Sequence, residues 1–230
     1  MSEREELGFL TKSYLMIRSP MKAFEVLREQ GDYFGILVYG GLVVLLLCVT
    51  EYVRYSKVLN CLSAIFGGDV SETTRGIIMT NILPMTFLIL LTLGGYFLLL
   101  IAIVYGFNRL IFKKTTRFMT LITAVGYMQF YMIIFIAVTL MVALIMPPIR
   151  NVTVYPGTYG VIGSLIRDYA TLPETRLFVT IGQVISRLGY LAMTMLFISS
   201  LRQLTRNSWR EIAIIGATLL PIYFVIWGGF

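Results

Sequence analysis

Five long apolar runs, at 34–53, 82–107, 118–146, 177–201 and 212–227, are separated by short charged stretches. A bilayer core about 30 Å thick takes roughly 20 apolar residues in a helix. Each run is close to that length or longer. Lipid offers no hydrogen bonds to the backbone, so apolar runs of this length cross it as helices. The pattern predicts an all-α fold: a polytopic membrane helix bundle of five transmembrane helices occupying 34–230.

Ahead of the first run, the periodicity changes. Leu7, Leu10, Tyr14 and Ile17 fall on one helical stripe. Ser19-Pro20 reads as a helix start, with serine at the N-cap and proline in the first turn. The helix that follows places Met21, Phe24 and Leu27 on one side and Lys22, Glu25, Arg28 and Glu29 on the other. Residues 1–33 therefore read as one or two amphipathic helices, broken by Gly31-Asp32 before the first span. Two readings stay open. The apolar faces, with Met21, Phe24 and Leu27 as candidates, lie on the cytoplasmic membrane surface, or they pack on the ends of the spans.

Composition agrees with the pattern. The 230 residues are 57% hydrophobic and 13% charged, against about 25% charged in soluble domains. The net charge of +7 follows the positive-inside rule better than a nucleic-acid reading. Arg4, Lys12, Arg18, Lys22 and Arg28 precede span one, Arg109, Lys113, Lys114 and Arg117 follow span two, and Arg202, Arg206 and Arg210 follow span four. The longer loops after spans one and three are sparser in basic residues. Basic residues gather in cytoplasmic segments, which predicts a cytoplasmic N-terminus, an outer C-terminus and residence in the cell (plasma) membrane. The acidic start Ser2-Glu3-Arg4-Glu5-Glu6 does not read as a signal peptide. Span one is expected to act as an uncleaved anchor.

Polar residues at membrane depth are the next signal. The fourth run contains Gln183, Ser186 and Arg187, with Gly182 and Gly189 nearby. Arginine at a span centre costs roughly 2.5–3.5 kcal/mol on insertion scales. Either Arg187 faces the bundle interior or a wet cavity, or it snorkels towards the interface. Glu51, at the outer end of span one, is its nearest plausible carboxylate, and Asn81 lies near the outer end of span two. Arg187, Gln183, Glu51 and Asn81 thus form a candidate intramembrane polar site. Gly94 and Gly95 in span two, with Gly182, Ser186 and Gly189, are candidates for close helix packing. The Asn151-Val152-Thr153 sequon would lie outside, a few residues beyond span three.

Chemical machinery is otherwise sparse. The chain has no histidine and only Cys48 and Cys61. Those two sit at different depths, so no disulfide is expected. No metal-ligand spacing, phosphate-binding glycine loop or paired intramembrane carboxylates occur. The expectation is a chain that is not an enzyme, with no catalytic residues, cofactor or metal, whose partners are membrane lipids and other membrane proteins or itself, and not nucleic acid.

Several segments together resemble the Yip1 domain family. They are Ser19-Pro20-Met21-Lys22-Ala23-Phe24-Glu25-Val26-Leu27 before span one, the five-span layout, and Phe107-Asn108-Arg109-Leu110 leading through 113–118 to Gly126-Tyr127. The polar link 201–210 into a final alanine-containing span completes the likeness. Tyr131 stands where the family usually has proline, and Met128 replaces its serine. The chain looks like a prokaryotic-type member, without the long polar N-terminal region of eukaryotic ones. The resemblance implies a non-enzymatic scaffold, adaptor or membrane-organising protein. The alternative is a small transporter or channel, or an accessory subunit of one, with Arg187 lining a polar site.

Overall fold

A computed structural model describes residues 7–66, 71–147 and 173–227, and within them the side chains of 55, 58–66, 71–86, 89 and 174 lie outside the description. All regular elements among the described residues are helical. Helix α1 spans Phe9–Arg18 and α2 spans Pro20–Glu29. A π-helical turn, Ile36–Gly40, leads into α3, Gly41–Phe66. Helix α4 covers Ser71–Gly106 and ends in a second π-helical turn, Phe107–Ile111. Helices α5, Phe118–Ile145, α6, Pro173–Thr205, and α7, Trp209–Trp227, complete the order.

Five segments are long and apolar enough to cross a membrane: Ile36–Arg54, Leu90–Ile111, Phe118–Ile145, Thr175–Thr205 and Trp209–Trp227. The chain is an all-α membrane protein with five candidate spans. The helices outrun the apolar runs. Helix α3 continues to Phe66, through the stretch 58–66 that reads as helical within the outer loop, and α4 begins at Ser71, where 71–74 reads as a helix start, and carries Pro84 inside it. Hydropathy marks only the lipid-immersed part of a helix, and a helix is free to project beyond it. Gly67-Gly68-Asp69, which reads as a turn, the Asn151 sequon, and 159–169, which reads as a helical stretch, lie outside the described residues.

Local signals account for the helix ends. Proline occupies the first turn of α2, where its missing N–H is no loss. Ser19 sits at the cap position, but its side chain makes no capping hydrogen bond. Helix α7 opens with a capping box: the Ser208 N–H donates to Glu211 Oε2 at 2.6 Å, and the Glu211 N–H reaches Ser208 Oγ at 3.4 Å. Arg206, with φ 55°, takes the left-handed position just after α6 that glycine more often fills. Pro221 lies within α7 without ending it.

Contacts group the chain into two compact units. One comprises Met1–Val43, Thr92–Ile134 and Arg187–Phe230, and the other Val44–Leu91 and Phe135–Ser186. The core of the first unit is built from fully buried Leu100, Leu121, Met128, Leu201 and Ile215, joined by Phe24 and Leu27 of α2. The second unit buries Thr50, Ile136, Thr139, Ala143 and Met146.

Candidate functional site

In the first unit, the N-terminal hairpin of α1 and α2 is tied to the membrane helices by a buried polar cluster. Phe9, Lys12 and Met16 fall at the i, i+3 and i+7 spacing of one helix face. Lys12 and Met16 are both buried. The Lys12 ammonium donates to Asp32 Oδ2 at 2.5 Å and to the Gln30 carbonyl at 2.7 Å. Asp32 also accepts the Tyr127 hydroxyl, 3.0 Å from each carboxylate oxygen, and the Phe34 N–H at 3.1 Å. Every charge in the cluster thus has a partner, which a buried ion pair requires. Nearby, the Tyr131 hydroxyl donates to the Met16 carbonyl at 2.5 Å.

Glycine makes this approach feasible. A Cβ on Gly126 would lie 2.3 Å from Ile36 Cγ1 and 2.7 Å from the Ile36 backbone nitrogen, and one on Gly35 would lie 2.4 Å from the Tyr127 ring. Only residues without a Cβ let the start of span one cross α5 so closely. Aromatic rings fill the space beside the cluster. Phe9 stands 5.5 Å from Tyr39, 5.9 Å from Tyr127 and 6.2 Å from Phe34 between ring centroids.

The two hairpin helices present different surfaces. Helix α2 directs Phe24 and Leu27 inward, both 0% exposed, with Met21 partly buried beside them. Of the two readings left open for this helix, its buried side chains follow packing against protein and not the membrane surface. Helix α1 does the opposite, with Leu10 79%, Tyr14 54% and Ile17 60% exposed. Phe34 and Leu37, at the start of span one, are exposed as well, and the Phe9–Phe34 contact links the two surfaces.

The same unit joins all three dense basic segments. The Arg28 guanidinium donates to the Gln203 carbonyl at 2.8 Å. The Lys114 ammonium meets the Glu211 carboxylate, the Arg206 carbonyl at 3.1 Å and Asn207 Oδ1 at 3.3 Å. Arg187 is exposed, and among the described residues no carboxylate pairs with it. Its backbone carbonyl accepts the Tyr223 hydroxyl at 2.8 Å. Gly189 is buried. Gly94 and Gly95 are exposed, and a Cβ on either would meet nothing within 4 Å. Their expected packing role finds no partner within the described chain.

A second polar cluster occupies the other unit. Glu51 pairs with Arg54, three residues on, at 2.7 Å. The side chain of Arg54 lies against Gly182, where a Cβ would come within 3.1 Å of its guanidinium and 3.6 Å of Thr139. Ser186 Oγ stands 3.5 Å from the Thr139 hydroxyl. Gly182 and Ser186 thus form one packed face, whereas Gln183 is exposed. The side chain of Asn81 lies outside the description. Lys57 donates to the carbonyls of Leu144, at 2.6 Å, and Met146, closing the C-terminal end of α5. Partial burial lowers the pKa of this ammonium from its ordinary value.

Sequence reasoning missed the roles of Lys12, Asp32 and Thr139, whereas Glu51 and Arg54 read from their spacing as neighbours three apart on a helix. The available signal for Lys12 was its place between Phe9 and Met16, a lone cation on an otherwise apolar face. Cys48 is a free thiol. Among the described residues, no three acidic or cysteine side chains are grouped as a metal would need. Comparison with family models, with curated proteins and with solved structures finds no match.

Proposed function

We propose that this chain is a non-catalytic integral membrane protein that works by association, a Yip1-like membrane organiser with its N-terminal hairpin held in the cytoplasmic leaflet. The observation that carries this reading is the outward stripe of Leu10, Tyr14 and Ile17 on a helix whose opposite face is locked to the spans. Exposing a stripe of that kind to water is unfavourable, and burying it among acyl chains is favourable. Its link through Phe9 and Phe34 to the exposed flank of span one supports lipid as the occupant. The joining of three basic segments in one unit supports a single cytoplasmic side for all of them, with the C-terminus outside and the cell membrane as the location.

The test is gentle-detergent purification of the tagged chain with mass spectrometry of what co-elutes, beside a Leu10→Ser/Tyr14→Ser/Ile17→Ser variant. A stoichiometric membrane-protein partner is the expected result, lost in the variant because α1 no longer holds the hairpin in the leaflet where that partner meets it. An unchanged co-elution profile counts against the reading.

The transporter reading draws on the exposed Arg187. About 20 residues cross the hydrocarbon core, so a span ending at Leu201, just before Arg202, begins near Gly182. Arg187 then lies five residues in, about 7.5 Å at 1.5 Å per residue, within snorkelling reach of the interface. Liposome flux that Arg187→Leu abolishes without loss of thermal stability would revive the transporter reading.

A further inference from the structure

We propose that the segment between the second and third spans forms a binding site for a phosphate group. Arg109, Lys113, Lys114, Thr115, Thr116 and Arg117 line an open hollow of about 370 Å³. The positive-inside rule explains why these residues are basic, but it does not require them to converge on one hollow.

Lys114 is neutralised by Glu211, and that ion pair, with the contacts to Arg206 and Asn207, holds the loop in place. Arg109, Lys113 and Arg117 have no acidic partner among the described residues. Arg109 is steadied by the Tyr105 hydroxyl at 2.8 Å and lies over that ring. A second, independent observation points to a ligand. Thr116, a partly buried residue, borders the hollow, and its hydroxyl oxygen is buried without a hydrogen-bond partner. Burying a hydroxyl without a partner is unfavourable, and an anionic oxygen would satisfy it. Helix α5 begins directly after Arg117, and the positive end of its dipole favours an anion there. Lys113 holds a left-handed backbone, φ 52°, of the kind found where a loop is shaped by its task. Three unneutralised cations with a hydroxyl donor match the charge and oxygen count of a phosphate better than a carboxylate.

Phosphate could come from an anionic lipid headgroup or from a soluble compound. The hollow lies between Ile111, which ends one candidate span, and Phe118, which starts the next, a level that headgroups occupy.

The full chain in neutral detergent is titrated with dioctanoyl phosphatidylglycerol and, separately, with inorganic phosphate. The site predicts saturable binding that Arg109→Gln/Lys113→Gln/Arg117→Gln weakens at least about 10-fold. The control Arg18→Gln/Lys22→Gln/Arg210→Gln removes equal charge elsewhere and should change it less than about 2-fold. Thr116→Val should weaken binding several-fold while leaving the melting temperature unchanged or raised, which guards against misfolding of the triple variant. Displacement of the lipid by comparable inorganic phosphate identifies a soluble source, and its failure to compete identifies the headgroup. Absence of saturable binding by either probe, equal losses in the two triple variants, or indifference to Thr116→Val overturns the site.

Discussion

Helices α1 and α2 are neighbours of equal length, ten residues each, and both carry an apolar stripe at helical spacing. They use it in opposite ways. Helix α2 buries Phe24 and Leu27 and leaves Lys22, Glu25 and Glu29 in solvent. Helix α1 buries Lys12 and turns Leu10, Tyr14 and Ile17 outward. An apolar stripe therefore identifies a face that avoids water without saying whether protein or lipid covers it. The buried lysine supplies the missing information. A charged side chain is held inside only by specific partners, so Asp32, Tyr127 and the Gln30 carbonyl set which face of α1 points inward.

The largest way to break this contrast is Asp32→Ala. It leaves the Lys12 charge buried and unpaired, a loss of about 3–5 kcal/mol, read as a lowered melting temperature in detergent and faster proteolysis of residues before span one. Leu27→Ala in α2 should cost about 2–5 kcal/mol by opening a cavity. The matching Leu10→Ala in α1 should stay within about 0.5 kcal/mol, and near-equal losses would erase the distinction between the helices. Gly126→Ala, driving a methyl into the Ile36 backbone, is expected to cost about 1–3 kcal/mol through overpacking and to lower the melting temperature. Lys12→Met should be the mildest change to the cluster, about 1–2 kcal/mol, because Asp32 keeps the Tyr127 and Phe34 donors. A Lys12→Met loss larger than that of Asp32→Ala would reverse the assigned order of dependence.

Much of the bundle was legible in the sequence, because lipid imposes a length and an apolar composition on every span. Three of the five span regions agree closely with the apolar runs. Helix α4 starts eleven residues before its run; residues outside the hydrocarbon carry no hydropathy signal, and only the helix-start pattern at 71–74 marks that end. Gly182 and Ser186 were legible as small residues in a span, and their contact with Thr139 and Arg54 gives that face its partners. Gly94 and Gly95 show that the same signal does not imply a partner within the chain. The cluster of Lys12, Asp32 and Tyr127 was not legible, because it joins residues 95 positions apart and no local spacing encodes that approach. The capping box at Ser208 and Glu211 was readable in principle from its four-residue pattern.

The most direct measurement is the immersion depth of α1. Spin labels at Tyr14→Cys and Glu25→Cys, in a reconstituted chain with Cys48 and Cys61 replaced by alanine, would be compared for collision with oxygen and with a water-soluble nickel chelate. The account predicts that the label at position 14 is reached by oxygen and shielded from nickel, while that at position 25 is reached by nickel. Strong nickel access at position 14, equal to that at position 25, would contradict the placement of α1 in the leaflet.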